Sequence, residues 1–114
     1  MPGKRKPSID PKEQSQVYMD MSEAFTKSIA LKPSFMEATF NLALTNHEMG
    51  NPDEAEKYYL RTIQINPNLI RAHLKLAELF AELNRKPEAL EQYRRIFYYV
   101  NARGKVPRES PLSR

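Results

Sequence analysis

The 114-residue sequence has no cysteine. That excludes a disulfide framework and a thiolate metal site, and it points to a reducing, intracellular setting. No apolar run approaches the roughly 20 residues that a membrane-spanning helix needs, so no membrane association is expected. Met1 leads into Pro2, Gly3, Lys4, Arg5, Lys6 and Pro7 with no apolar core behind the charges, unlike a secretory signal. Glycine is scarce and scattered: Gly3, Gly50 and Gly104 each stand alone, so nothing resembles a phosphate-cradling loop. There are two histidines, and His47 is next to Glu48, which puts their side chains on different faces of a helix. The carboxylate pairs Glu54/Glu56 and Glu88/Glu91 fall on helix surfaces open to solvent. No catalytic constellation, no metal site and no cofactor is therefore expected, and the chain reads as a non-enzyme.

What is present begins with charge, which lies mainly at the two ends. Residues 1–12 carry Lys4, Arg5, Lys6 and Lys12 against Asp10, a balance of +3. Residues 101–114 carry Arg103, Lys105, Arg108 and Arg114 against Glu109, again +3. Since the total is +4, the stretch 13–100 is −2. Nucleic-acid binding shows as basic residues clustered on a folded face, so no nucleic-acid partner is expected. Pro2, Pro7 and Pro11 predict a disordered, basic, Pro-rich tail over 1–12, and Gly104, Pro107 and Pro111 predict another over 101–114. Lys4-Arg5-Lys6-Pro7 is a short candidate for a nuclear-import signal, and Ser110-Pro111 for a phosphosite. The expected location is cytoplasmic, or nuclear where the import signal acts.

Between the tails the chain repeats itself. A shift of 34 residues, from Pro33 to Pro67, superposes Ala38 on Ala72, Leu42 on Leu76, Ala43 on Ala77 and Glu48 on Glu82. The same shift superposes Glu54 on Glu88, Ala55 on Ala89, Tyr59 on Tyr93 and Arg61 on Arg95. Small residues meet small ones and aromatic meets aromatic at one offset. A period of this size marks a solenoid built from helix–turn–helix units. The spacing predicts helices over about Phe35–Glu48, Pro52–Ile65, Leu69–Glu82 and Pro87–Val100. Asn51-Pro52-Asp53-Glu54 reads as an N-cap, a first-turn proline and two acids on the positive end of the helix dipole. Gly50 and Asn84 suit the left-handed residue that closes a helix. Ahead of these, Val17, Met21, Phe25 and Ile29 form an amphipathic stripe, and at the same offset Phe25 falls on Tyr59 and Ile29 on Ile63. Residues 13–32 are thus the second helix of a truncated repeat, followed by full repeats over 33–66 and 67–100.

These residues identify a family resemblance. Leu42-Ala43 and Leu76-Ala77, Ala55 with Tyr59, Ala89 with Tyr93, and the prolines Pro33 and Pro67 resemble the tetratricopeptide repeat in its defining places. The pattern departs from it where Thr39 and His73 replace a large aromatic, where Asn46 replaces a Tyr, and where Asn101 replaces a third Pro. His73 then stands at a helix-packing place and is expected in the core or groove. The resemblance implies an all-α fold, a right-handed α-solenoid of about two and a half repeats. Stable arrays usually need about three units, so self-association through the uncapped ends, or continuation in a longer array, is expected.

The resemblance also implies a function, that of a protein–protein interaction module, an adaptor or scaffold with a peptide or protein partner. Its concave groove would be lined by Glu37, Phe40, Asn41 and Leu44 of one repeat and Arg71, Leu74, Lys75 and Glu78 of the next. Asn41, Arg71 and Lys75 are similar to the carboxylate clamp of co-chaperones, which grips an acidic C-terminal tail. Lys6 aligns with another clamp position, while Asp10 stands where the clamp has an Asn, and Pro7 and Pro11 are expected to break the helix that should carry them. The alternatives are such a clamp, or an accessory repeat segment of a longer protein of the kind that feeds substrates to a glycosyltransferase.

Overall fold

A computed structural model describes residues 10–104; the import-signal and phosphosite candidates, and Lys6, lie outside the described residues. Five helices follow one another: α1 (Pro11–Leu31), α2 (Met36–Glu48), α3 (Pro52–Ile65), α4 (Ile70–Glu82) and α5 (Lys86–Gly104). Among the described residues there is no strand, and each helix packs mainly on the next. The result is an all-α helical repeat solenoid.

The internal boundaries follow the 34-residue shift because the turn residues recur. A residue before proline is pushed out of the helical region. Lys32 and Asn66 are both extended there, at φ −143° and −138°, and α1 and α3 end in front of Pro33 and Pro67. In each of these turns one N–H reaches back three residues, Phe35 to the Lys32 carbonyl (2.9 Å) and Leu69 to the Asn66 carbonyl (3.2 Å). The other turn closes α2 and α4 with a left-handed residue, Gly50 at φ 79° and Asn84 at φ 62°. Behind it the Asn51 N–H donates to the Asn46 carbonyl (2.9 Å) and the Arg85 N–H to the Phe80 carbonyl (2.8 Å), satisfying carbonyls that the helix end leaves bare. Asn51 occupies the N-cap of α3, but its side chain donates instead to the Asn46 side chain (3.2 Å).

The chain departs from sequence expectation at both terminal helices. Pro11 does not break a helix; it opens one, at the first position, where its missing N–H costs nothing. Asp10 caps it by accepting from the Lys12 N–H (3.0 Å). Coil therefore does not extend to residue 12. At the other end α5 passes Val100 and continues to Gly104. Asn101 stands where Pro33 and Pro67 stop the equivalent helices, and asparagine keeps its N–H.

Alanines make the close helix contacts. Ala43, Ala55, Ala72 and Ala77 are fully buried, with Leu42, Leu76 and Tyr59 beside them. The buried threonines satisfy themselves within their own helices: the hydroxyls of Thr39, Thr45 and Thr62 donate to the carbonyls of Phe35, Asn41 and Tyr58. A larger core joins α2, α3, α4 and the start of α5, and a smaller one seats Ile29 of α1 on Ala38 and Leu42 of α2; Tyr58 packs on both.

Candidate functional site

Helices α2 and α4 are the first helices of the two full repeats, and side chains join them directly. The Arg71 guanidinium lies over the Phe40 ring, 5.2 Å from its centroid, a cation–π contact across the two helices. Phe40 itself is only 5% exposed and leans on Tyr59 at 6.1 Å, so it is the floor beneath Arg71 and a core residue. Leu44 is half-buried and packs on the same core. Asn41 is half-buried, while Glu37, Arg71 and Leu74 are exposed. Lys75 pairs within its own helix with Glu78 at 3.4 Å, so the two basic residues of this face are held differently. Arg71 ties one repeat to the next, and Lys75 does not.

A second link between these helices was hidden from sequence reasoning. The buried Tyr59 hydroxyl lies 2.8 Å from His47 Nδ1, and His47 Nε2 lies 2.8 Å from Glu82 Oε1; a carboxylate only accepts, so Nε2 is the donor there, and the Nδ1 of a neutral ring then accepts from the hydroxyl. Neutral imidazole carries one acceptor and one donor, and this chain uses both. It runs from α3 through α2 to α4. Burial, and then the nearby charges of Glu78, Glu82 and Glu48, push the Tyr59 phenol well above its ordinary range. The carboxylate that His47 meets is not the adjacent Glu48 but one 35 residues away. The available signal was the repeat itself, since Glu82 is the 34-residue counterpart of Glu48.

His73 is buried, and both ring nitrogens are engaged: Nε2 with the Pro67 carbonyl and Nδ1 with the Gln92 carboxamide, each at 2.7 Å. It is thus a core residue that fastens α4 to the turn before it and to α5. Arg85 fastens the stack at the turn between α4 and α5. Its guanidinium donates to both oxygens of Glu56 on α3 (2.7 and 3.2 Å) and both of Glu88 on α5 (2.6 and 3.1 Å), above the Phe80 ring at 4.5 Å. The bonds to Glu88, then those to Glu56, raise the Arg85 pKa, and Arg85 in turn holds the Glu88 carboxyl below its ordinary range. Among the described residues no three His, Cys, Asp or Glu side chains converge to hold a metal ion, and no helix is long and apolar enough to cross a membrane.

The face formed by α2 and α4 is therefore a mixed surface, with leucine side chains among carboxylates, an amide and two cations. It offers hydrogen-bonding and ionic groups to a ligand. Comparison with known proteins places this geometry. A structure of MamA superposes with a TM-score of 0.76 at 24% identity, over 82% of this chain and 54% of that one. A second MamA structure gives 0.72 at 23%, over 82% and 52%. The second TPR of Spaghetti (RPAP3), bound to the HSP90 peptide SRMEEVD, gives 0.67 at 20%, over 72% of this chain and 76% of that one. At these identities the likeness is one of fold, and the chain spans about half the length of the MamA chains it matches. The tetratricopeptide-repeat family model matches residues 35–97, more than half of the sequence, and the chain belongs to the tetratricopeptide repeat family.

Proposed function

We propose that this chain is a non-catalytic adaptor that holds a peptide or partner protein against the face shared by α2 and α4. One observation carries the reading. Arg71 reaches from α4 onto Phe40 of α2, so the two helices present one continuous surface with exposed Leu74 beside charged and amide side chains. A partner that offers an anionic group to Arg71 and Lys75 and an apolar side chain to Leu44 and Leu74 matches that chemistry. Charge-assisted hydrogen bonds to a carboxylate contribute about 1.5–3 kcal/mol each.

A second reading, the carboxylate clamp, is favoured by the neighbour solved with an acidic HSP90 peptide. Against it stands α1. The residues at the place of an earlier repeat's turn, Ser15-Gln16-Val17, are helical, and Asp10 caps α1 instead of facing a ligand from a first helix. Isothermal titration calorimetry separates the two readings. An acidic heptapeptide with a free C-terminus should bind in the micromolar range, and Arg71→Ala or Lys75→Ala should weaken it about tenfold or more. The adaptor reading expects the C-terminally amidated peptide to bind equally well; a loss on amidation as large as that from Arg71→Ala selects the clamp. Binding untouched by either substitution removes this face as the site.

A further inference from the structure

The open side of α5 differs from its own internal counterpart in a way that names its occupant. Leu90, Tyr93, Phe97 and Val100 are 64%, 42%, 40% and 55% exposed. Their spacing of three, four and three residues puts them in one stripe on the helix. The 34-residue shift sets them on Glu56, Tyr59, Ile63 and Asn66 of α3. There Tyr59 is fully buried in the core made with α2 and α4, Ile63 packs on that core, and Glu56 receives Arg85 from the following repeat. So α5 exposes the side that α3 buries under the next repeat. A helix side facing water is expected to be more polar than one buried under a following repeat. This one is less so, with leucine in place of Glu56, phenylalanine in place of Ile63 and valine in place of Asn66.

The replacements also separate this surface from the one that stacks repeats inside the chain. An arginine at the place of Arg85 would meet Leu90, not a carboxylate. Residues 105–114 supply only Val106 and Leu112 as large apolar side chains, with Pro107 and Pro111 between and beside them, too little to match a four-residue stripe. The stripe does match itself. Laid antiparallel on a second α5 about a two-fold axis, Leu90 faces the partner's Val100 and Tyr93 faces the partner's Phe97, large aromatics at the centre and aliphatics outside. Antiparallel helices also oppose their dipoles favourably. We propose that the protein forms a two-fold dimer through α5, with Leu90, Tyr93, Phe97 and Val100 as its seam. These side chains are already partly covered within each copy, so the eight together have on the order of 700 Å² left to bury, well below the roughly 1,200 Å² of a stable complex. The dimer is accordingly weak, with a dissociation constant on the order of tens of micromolar.

Charge around the seam sets its salt response. Arg94 and Arg95 both pair with the single carboxylate of Glu91, at 3.6 and 3.3 Å, which leaves an excess of positive charge near the axis on each copy. Added salt screens that repulsion, so it tightens the dimer, whereas peptide binding at Arg71 and Lys75 weakens with salt. The two surfaces are distinguished by this sign.

Sedimentation equilibrium of the full chain from about 5 µM to about 1 mM should pass from the 13.3 kDa monomer to twice that mass and stop there. Raising salt from about 0.1 to about 1 M, which shortens screening from about 10 to about 3 Å, should shift the midpoint to lower concentration. Leu90→Glu restores the residue that α3 carries at this place, and it should hold the protein monomeric with an unchanged helical signal by circular dichroism. Met21→Glu, on the exposed face of α1, should dimerise as the unaltered chain does. A monomer at the highest concentration overturns the proposal. So does dimerisation that survives Leu90→Glu or is lost in Met21→Glu, and so does mass growth beyond the dimer, which means end-to-end stacking.

Discussion

At the scale of single residues, the contacts that matter most lie between repeats and involve hydroxyl, imidazole and carboxylate groups. Tyr59 fills the core with its ring and spends its hydroxyl on His47, which passes the connection to Glu82. Tyr59→Phe keeps the ring and removes the donor, leaving His47 Nδ1 unsatisfied near the surface. The cost should be about 1 kcal/mol, read as a fall in melting temperature of several degrees for a chain of this size. The same site fixes an alkaline limit. Because the folded phenol is raised above its ordinary value of about 10, its contribution is complete below that value and fades as pH climbs towards the folded one. Phenolate absorbance of the unaltered chain minus that of Tyr59→Phe should therefore rise only together with loss of helix. Reversible ionisation of Tyr59 in an intact helical protein would contradict this. Glu88 gives the acid counterpart. Arg85 lowers its folded pKa, so its contribution is whole above about 4.5 and disappears as pH falls through the lower folded value. The stability gap between the protein and Glu88→Gln, measured by thermal melts, should be present near neutral pH and shrink as pH falls below about 4.5.

At the scale of elements, proline and its absence decide where helices stop. Asn101→Pro tests this directly. It places a proline where Pro33 and Pro67 end the equivalent helices, so Val100 should turn extended and α5 should lose about five residues of helix by circular dichroism. Interior prolines cost about 3 kcal/mol, but residues 101 and 102 are exposed, so melting should fall by less than about 1 kcal/mol. A full interior penalty would show that the last turn is integral to the stack. This also explains what was legible beforehand. The inner turns carry residues with one backbone meaning, Pro33, Gly50, Pro67 and Asn84, and the inner helices could be bounded to within a residue or so. Pro11 has two meanings, breaker and opener, and the pattern alone does not choose between them. For the candidate site, Arg71 was legible as a residue of α4 facing α2 because the repeat supplies that adjacency, and it lies over Phe40. The depth of Phe40 was not, nor were the pairings of His47 with Glu82 and Arg85 with Glu56, since these depend on how far one repeat is rotated against the next.

At the scale of the whole molecule, a stack whose helices each lean mainly on the next need not open all at once. Such arrays behave as units joined by neighbour interfaces, and the weakest unit opens first. That unit is α1. Ile29 is its one buried residue, seated in the small core with Ala38 and Leu42, and no helix of a preceding repeat stands among the described residues to cover Val17 and Met21. By contrast α5 is held by Ala89 in the larger core, by Gln92 on His73 and by Glu88 on Arg85. Native-state hydrogen exchange should then rank the amides of α2 to α4, such as those of Ala43 and Ala77, as the slowest, and those of α1 as distinctly faster. Ile29→Ala sharpens the test. Removing a buried isoleucine side chain costs about 2–5 kcal/mol, more than a marginal end helix can absorb, so α1 protection should vanish. Protection of Ala77 in α4 should change by much less, because α1 is separated from it by a whole repeat. Equal losses at both places would mean that the five helices open as one cooperative unit, and that the smaller core is as essential to the stack as the larger.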